Sequence, residues 1–262
     1  MRHYGLIGEH LGHSLSVPIH EIVFRELQIR ADYTLVEIPR VQLSTRIPEL
    51  LREMDGFNVT IPYKKDIIPF LEDLHSLARR VMAVNTVCSR PVPAGYNTDV
   101  HGFSSMLQLS GISPEGRPCL ILGTGGASLA VSVSLSGMGA SSVTFVSRHP
   151  APGQLSYEEL ETCEGLDRCI LVNCTPVGMF PGTDACPLSP SALSKILPRA
   201  EGVADLIYNP RITRLAQAAR DAGVPCCTGM TMLIAQALEA EEIWQGRQMP
   251  SHLMKTIEEA LL

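Results

Sequence analysis

The run Cys119-Leu120-Ile121-Leu122 leads directly into Gly123-Thr124-Gly125-Gly126-Ala127-Ser128, after which helical sequence continues over 129–138. An unbroken apolar strand reads as buried on both faces, the condition of a parallel sheet covered by helices. Glycines at the point where such a strand gives way to a helix let a pyrophosphate approach the backbone N–H groups of the helix N-terminus. Ser128 stands where the third glycine of such a turn usually lies, and no lysine follows in the G-K-S/T manner, so dinucleotide binding is favoured over phosphate cleavage. Strand-like segments recur at Ser142–Val146, Cys169–Asn173, 203–207 and 224–226, which predicts a Rossmann-type sheet. Residues 174–202, rich in Pro, Gly and Ser, read as a loop over the cofactor side of a cleft.

The first hundred residues form a separate α/β series. Strands are predicted at 3–7, 32–38, 56–60 and 83–88, and helices at 16–27, 44–54 and 64–74; in the first helix Ile19, Val23 and Leu27 recur at helical spacing. The alternation predicts a small α/β layer with a largely parallel sheet. Two further helices, 230–244 and 251–262, close the chain. A length of 262 residues accommodates two cores. A net charge of about −6 without any Lys/Arg run argues against a nucleic-acid partner and for a small-molecule ligand. No stretch has the character of a signal peptide or the length to cross a membrane, so a cytoplasmic protein with no membrane partner is expected. The eight cysteines are scattered without C-x-x-C; neither a metal site nor disulfides are expected, and most read as small buried residues.

Two polar runs carry the chemistry. Lys64 closes Asn58-Val59-Thr60-Ile61-Pro62-Tyr63-Lys64, and Asp99 closes Gly95-Tyr96-Asn97-Thr98-Asp99. Both read as strand ends turning into helices, with Pro62 in one and an Asn-Thr-Asp cap in the other. A lysine beside a carboxylate can donate a proton to an oxygen gaining negative charge, as carbonyl reduction requires. Between Glu115 and Glu158 there is no acidic residue to bind a ribose 2′-hydroxyl, whereas Ser147-Arg148 follow the second strand, where an arginine can hold the 2′-phosphate of NADP. Ser14 and Ser16 either bind a carboxylate at a helix start or simply cap that helix. Asn85, polar in a buried-type strand, needs a partner, and a ligand hydroxyl is one. Thr175 sits in Asn173-Cys174-Thr175, at an ordinary strand-end turn or a cofactor loop; Tyr208 stands at a later strand end, and Gln236 on a helix that begins after Gly229.

These runs, in this order, resemble the shikimate dehydrogenase family: Ser-x-Ser, Asn-Val-Thr-x-Pro-x-Lys, Asn-Thr, Asn-Thr-Asp, the glycine turn, Asp-Leu-x-Tyr-Asn-Pro and Gly-x-x-Met-Leu-x-x-Gln. Met82 replaces the glycine that usually precedes the family's Ala-x-Asn-Thr, and Ser147 and His149 replace the usual flanks of the arginine. The resemblance implies an α/β fold of two domains. Residues 1–99 and 230–262 would bind substrate, with the last helices packing back on them, and 100–229 would be the NADP-binding Rossmann domain. It further implies NADPH-dependent reduction of 3-dehydroshikimate to shikimate, with Lys64 and Asp99 catalytic. Ser14, Ser16, Thr60, Asn85, Tyr208 and Gln236 would hold substrate, and Gly123, Gly125, Gly126, Ala127, Ser147, Arg148, Thr175 and Gly229 would hold cofactor. A quinate or aminoshikimate dehydrogenase would keep the same pair, and a non-catalytic ligand sensor would keep only the pocket. Either a monomer or a homodimer is compatible.

Overall fold

The computed structural model describes residues 1–12 and 14–261; His13, in the segment before the serine pair, and Leu262, the last position of the predicted terminal helix, lie outside the described residues. In chain order the first elements are β1 (Arg2–Gly8), α1 (Ser16–Glu26), β2 (Ala31–Glu37), α2 (Leu43–Glu53), β3 (Gly56–Val59), β4 (Asp73–Leu74), α3 (Ser76–Val81), β5 (Thr86–Cys88), β6 (Ala94–Tyr96) and α4 (Asp99–Leu109). They are followed by β7 (Pro118–Leu122), α5 (Gly126–Gly137), β8 (Ser142–Val146), α6 (Tyr157–Thr162), β9 (Cys169–Asn173) and α7 (Pro190–Ile196). The last are β10 (Ala200–Asp205), α8 (Arg214–Asp221), β11 (Cys226–Thr228), α9 (Met230–Gln245) and α10 (His252–Ala260). Contacts divide the chain into a first unit, Met1–Asp99 with Ile234–Leu262, and a second, Val100–Leu233.

In the first unit six strands lie in the order β2-β1-β3-β5-β6-β4. The pairs β1–β2, β1–β3 and β4–β6 are parallel, while β3–β5 and β5–β6 are antiparallel. Alternation along β1 sorts its side chains between two cores. Ile7 joins Ile47, Leu50, Phe57 and Val87 on one face, and Tyr4 and Leu6 join Phe24, Tyr33, Ala240 and Trp244 on the other. Trp244 stacks on Tyr4 with ring centroids 4.6 Å apart and donates its indole N–H to the Val87 carbonyl at 2.9 Å. Gly56 makes room for it: a Cβ there would lie 2.4 Å from Trp244 Nε1.

The second unit is an all-parallel sheet in the order β11-β10-β9-β7-β8. Its strands alternate between two covered faces, with Leu120, Leu122 and Leu171 in one core and Cys119, Ile121 and Ile170 in the other. Among the described residues no helix is long and apolar enough to cross a membrane.

Several expectations change, among them the strand predicted at 83–88, which is confined to Thr86–Cys88, and that at 203–207, which is Ala200–Asp205. The helix predicted over 64–74 is a series of turns ending in one 3₁₀ turn, Ile68–Phe70, and the short strand β4. Pro69 lacks an N–H and its ring would clash with the carbonyl four residues earlier, while the Lys64 carbonyl is taken by the Val84 N–H at 2.7 Å. The stretch read as a loop over 174–202 contains α7, capped by Ser189, whose hydroxyl accepts from Ala192 N at 3.0 Å, with Pro190 pre-set for the first turn. The last strand begins two residues later than predicted. Of the eight thiols, all free, only Cys119, Cys169 and Cys227 are buried and the others are half-buried.

Substitution of Gly56 by Ala is expected to overpack the Trp244 contact and cost about 1–3 kcal/mol without abolishing the fold. Urea unfolding followed by the fluorescence of Trp244 checks it.

Candidate active site

In the first sheet β1 lies between β2 and β3, both parallel to it, so the chain leaves β1 toward one side and β3 continues on the other. Ligands of open α/β sheets bind outside the carboxyl ends of strands at such a reversal. Gly8 ends β1, and a Cβ there would lie 2.7 Å from Leu11 and 2.8 Å from Thr60, so its bare backbone lets the segment after β1 approach the residue after β3. That segment carries the serine pair. Ser14 Oγ accepts the Ser16 N–H at 3.2 Å, which leaves its own O–H to donate; Ser16 is the first residue of α1, whose start has no side-chain cap.

Lys64 is set by its neighbours. Tyr63 is buried and donates its hydroxyl to the Ile38 carbonyl, while the Lys64 carbonyl holds Val84, so the ammonium end is the part left to reach outward. Lys64 Nζ donates to Asp99 Oδ2 at 2.7 Å, with side-chain exposures of 16% and 10%: shielded, yet within reach of solvent. The other oxygen of Asp99 accepts from Asn85 Nδ2 at 2.9 Å. Asn85 Nδ2 also reaches Thr98 Oγ1 at 2.9 Å, and its Oδ1 accepts from the Thr98 N–H at 2.7 Å and Thr86 Oγ1 at 3.2 Å. The Asn85 amide is thus engaged by protein partners. Thr98 Oγ1 donates to Gln236 Oε1 at 3.4 Å, which brings α9 to the same cluster.

Asn58, Thr86, Thr98 and Tyr33 are members of this network that sequence reasoning did not single out. Asn58 Nδ2 donates to the Asn85 carbonyl at 3.2 Å and Thr86 Oγ1 at 3.0 Å, and its Oδ1 accepts from the Tyr33 hydroxyl at 2.7 Å. The available signal was position, since Asn58 and Thr98 lie inside the two runs that end on Lys64 and Asp99. Glu239, one turn beyond Gln236 on α9, was also missed. Burial first, then the charges of Glu242 and Asp99, push its carboxyl up to about 8, and its Oε2 is buried without a partner. At neutral pH it keeps its proton and adds no second negative charge beside Asp99.

The second sheet repeats the reversal: β7 lies between β8 and β9. Gly123 follows β7 with φ +94°, donates its N–H to the Val146 carbonyl at 2.8 Å, and a Cβ on it would lie 2.8 Å from Thr175 Cγ2. Both the left-handed backbone and the close approach require glycine here. Thr175 is held in place by Asn173 Oδ1, which accepts its N–H at 3.0 Å and its hydroxyl at 2.7 Å. Gly125 precedes α5, Gly126 and Ala127 open it, and no side chain caps its first N–H groups. Ser128 is fully buried and returns its hydroxyl to the Gly125 carbonyl at 2.6 Å, so the serine is absorbed within the turn. Ser147 donates its N–H to Leu155 and accepts the His149 N–H on Oγ at 3.2 Å, which fixes the turn that carries exposed Arg148. Arg148 has no ion-pair partner among the described residues. An uncapped helix start behind a glycine turn, with a free cation and no carboxylate on the adjoining strand, fits a dinucleotide bearing a 2′-phosphate.

Two further residues have mainly architectural surroundings. A Cβ on Gly229 would lie 2.0 Å from the Leu206 carbonyl, so the entry to α9 tolerates no side chain. Tyr208 follows β10, half-buried, and burial raises its phenol pKa. Just before it, fully buried Asp205 accepts from Asn173 Nδ2 (3.0 Å), the Ile207 N–H (3.1 Å) and the Thr213 hydroxyl (2.6 Å), joining the ends of β9 and β10. Burial raises the pKa of Asp205 against the opposing pull of these bonds.

The profile of the shikimate dehydrogenase substrate binding domain matches residues 6–87. A shikimate dehydrogenase (NADP(+)) of Clostridium beijerinckii is 36% identical over 264 residues, covering 97% of this chain and 95% of the relative. The crystal structure of a chorismate mutase/shikimate 5-dehydrogenase fusion protein from Clostridium acetobutylicum matches with a TM-score of 0.92 at 36% identity, over 99% of this chain and 97% of that one. Shikimate 5-dehydrogenase from Thermus thermophilus, solved in complex with NADP(H) and shikimate, matches with a TM-score of 0.86 at 29% identity over the whole of both chains.

The Glu239 carboxyl predicts a pH effect. Its folded pKa, about 8, exceeds the ordinary value of 4.5, so between these limits the unfolded chain releases a proton that the folded chain keeps. Stability is expected to fall as pH rises from about 5 to 8. Glu239→Gln should remove that component and flatten the profile, as thermal melts of both proteins across this range would show.

Proposed function

The chain belongs to the shikimate dehydrogenase family, and we propose from this that it interconverts 3-dehydroshikimate and shikimate with NADP(H), a step toward the aromatic amino acids. The observation that carries the reading is the Lys64–Asp99 pair, 2.7 Å apart and fixed by Asn85. In the reducing direction NADPH supplies the hydride that adds to the ring carbonyl carbon. Lys64 Nζ gives a proton to the carbonyl oxygen as charge develops there, and its partial exposure lets solvent return that proton. Asp99 directs the ammonium and contacts a substrate hydroxyl. Ser14 and Ser16 donate to the substrate carboxylate at the start of α1, where the helix dipole adds to the attraction. Thr60 and Gln236 take the remaining hydroxyls, and Asn85 contributes chiefly by holding Asp99.

The first unit is assigned to substrate and the second to cofactor. Gly123, Gly125, Gly126 and Ala127 would hold the pyrophosphate, Ser147 and Arg148 the 2′-phosphate, and Thr175 and Gly229 the rest of the dinucleotide. A cytoplasmic place suits a chain of this kind. Turnover on shikimate, quinate and aminoshikimate with NADP and NAD tests the reading. The highest kcat/KM is expected for shikimate with NADP, and preference for another pair would overturn it.

Lys64→Met is expected to lower turnover by roughly 10²–10⁴-fold with the fold intact, since the side chain faces outward from a pinned turn. Asp99→Ala should be similarly severe. Steady-state kinetics beside circular dichroism separates lost chemistry from lost structure.

Arg148→Ala should weaken NADP by roughly 10–150-fold, the worth of one charge-assisted contact at about 1.5–3 kcal/mol, and leave NAD nearly unchanged. Titration of each dinucleotide by calorimetry measures this without turnover. Equal loss for both would remove Arg148 as the reader of the phosphate.

A further inference from the structure

The end of β2 carries no residue assigned to substrate or cofactor, yet it fastens two segments that do. The strand lies at the edge of the first sheet, where an exposed glutamate ordinarily points to water. Glu37, its last residue, instead accepts the Leu11 N–H on Oε1 at 2.6 Å. The register explains the reach. Glu37 stands opposite Gly8, the residue at which the chain leaves β1, and the Ile38 N–H donates to the Gly8 carbonyl at 2.9 Å. The Ile38 carbonyl accepts the Tyr63 hydroxyl, which steadies the turn bearing Lys64.

Leu11 is held at three points. Its side chain is 5% exposed and joins the cluster of Tyr4, Leu6, Phe24 and Trp244; its N–H goes to Glu37; and its carbonyl accepts the Ser14 N–H at 3.1 Å. Ser14 Oγ in turn accepts the Ser16 N–H at 3.2 Å. The serine pair therefore hangs from Leu11, whose backbone Glu37 fixes through a charge-assisted bond. Charge by itself gives the opposite expectation: a carboxylate bound to a loop assigned to an anion repels that ligand, and removing it would tighten binding. Positioning and repulsion thus differ in sign.

We propose that Glu37 is a positioning residue for the substrate carboxylate. Its side chain pins the Leu11 N–H, and through the Leu11 carbonyl it sets where Ser14 and Ser16 present their hydroxyls. The inference rests on the reading of the two serines as carboxylate ligands.

Two variants test it. Glu37→Leu keeps the bulk and removes the acceptor, and Glu37→Gln keeps an acceptor and removes the charge. KM and the calorimetric Kd for shikimate are expected to rise about 3–30-fold in Glu37→Leu, the scale of one lost hydrogen bond to a charged group partly open to water. Its kcat and NADP affinity should change little, and Glu37→Gln should stay within about 2-fold of the parent throughout. Amide exchange at Leu11 should quicken in Glu37→Leu and stay slow in Glu37→Gln.

Shikimate affinity in Glu37→Leu that equals or exceeds the parent's overturns the proposal; equality with a lowered melting temperature marks a merely structural role, and tighter binding marks relief of repulsion. Glu37→Gln weakening as far as Glu37→Leu overturns it too, as does Leu11 exchange unaltered by loss of the acceptor. Should Glu37→Leu fail to fold, Glu37→Ala takes its place under the same expectations. Failure of the functional reading shows elsewhere, as an unsubstituted protein that neither binds nor oxidises shikimate.

Discussion

The candidate site depends on one buried amide. Asn85 is 3% exposed, and its two polar atoms hold the Thr98 N–H, two threonine hydroxyls and the carboxylate of Asp99. A largely shielded aspartate is tolerable only with a counter-charge and hydrogen bonding, and Lys64 and Asn85 supply one each. The contact exists because the first sheet departs from parallel order. β5 and β6 run as an antiparallel pair beside β3, so that residues 85 and 98, far apart in a parallel crossover, meet across a hairpin; the Asn85 N–H closes it on the Tyr96 carbonyl at 3.0 Å. Without that reversal the parallel strands would carry Lys64 and nothing to orient it.

Each unit places its polar groups where strand order reverses, but the chemistry of the two places is opposite. After β1 and β3 come hydroxyls and an ammonium, joined by a carboxylate from the segment after β6, suited to an acid that carries several hydroxyls. After β7 and β8 come glycines, bare N–H groups and an arginine, suited to phosphates. In both, a glycine lets two loop segments touch: Gly8 with Leu11 and Thr60, Gly123 with Thr175. The same backbone logic therefore serves two ligands, and the side chains alone distinguish them.

The parts legible in the sequence were those governed by local rules. The glycine turn, the apolar strands of the second unit and the alternation of the first follow from backbone sterics and periodicity, and the Lys64 and Asp99 runs were visible as polar strand ends. The helix predicted over 64–74 fails at Pro69, a local signal present in the run itself. Other features were not local. The bond from Asn58 to Asn85 spans 27 residues and that from His20 to Glu241 spans 221. No periodicity marks Asn58 as partner to a strand not yet formed, and Glu241, in the run Glu239-Ala240-Glu241-Glu242, has the look of a solvated helix face. Burial of that face follows from packing against Tyr4, Tyr33 and Trp244.

The buried acids show why the chemistry belongs to Lys64. Each is accommodated differently: Asp205 by hydrogen bonds from Asn173, Thr213 and Ile207, Glu239 by retaining its proton, Glu241 by a hydrogen bond from His20 and Asp99 by the charge of Lys64. A proton donor in turnover must release its proton to a ligand and recover it from water, so both partners of its pair need some contact with the outside. His20 and Glu241 are sealed, at 1% and 0% exposure, and Asp205 is buried within its own unit. Glu239 holds a proton at neutral pH, with one oxygen closed to solvent and no hydrogen-bond partner on it. Of these four acids, Asp99 is the one whose direct ion pair, with Lys64, keeps partial exposure on both sides, 10% and 16%, at the mouth of a strand reversal. Exposure in this pair, against complete burial of the His20–Glu241 pair and of Asp205, separates the group that can exchange protons from those that only hold the structure around it.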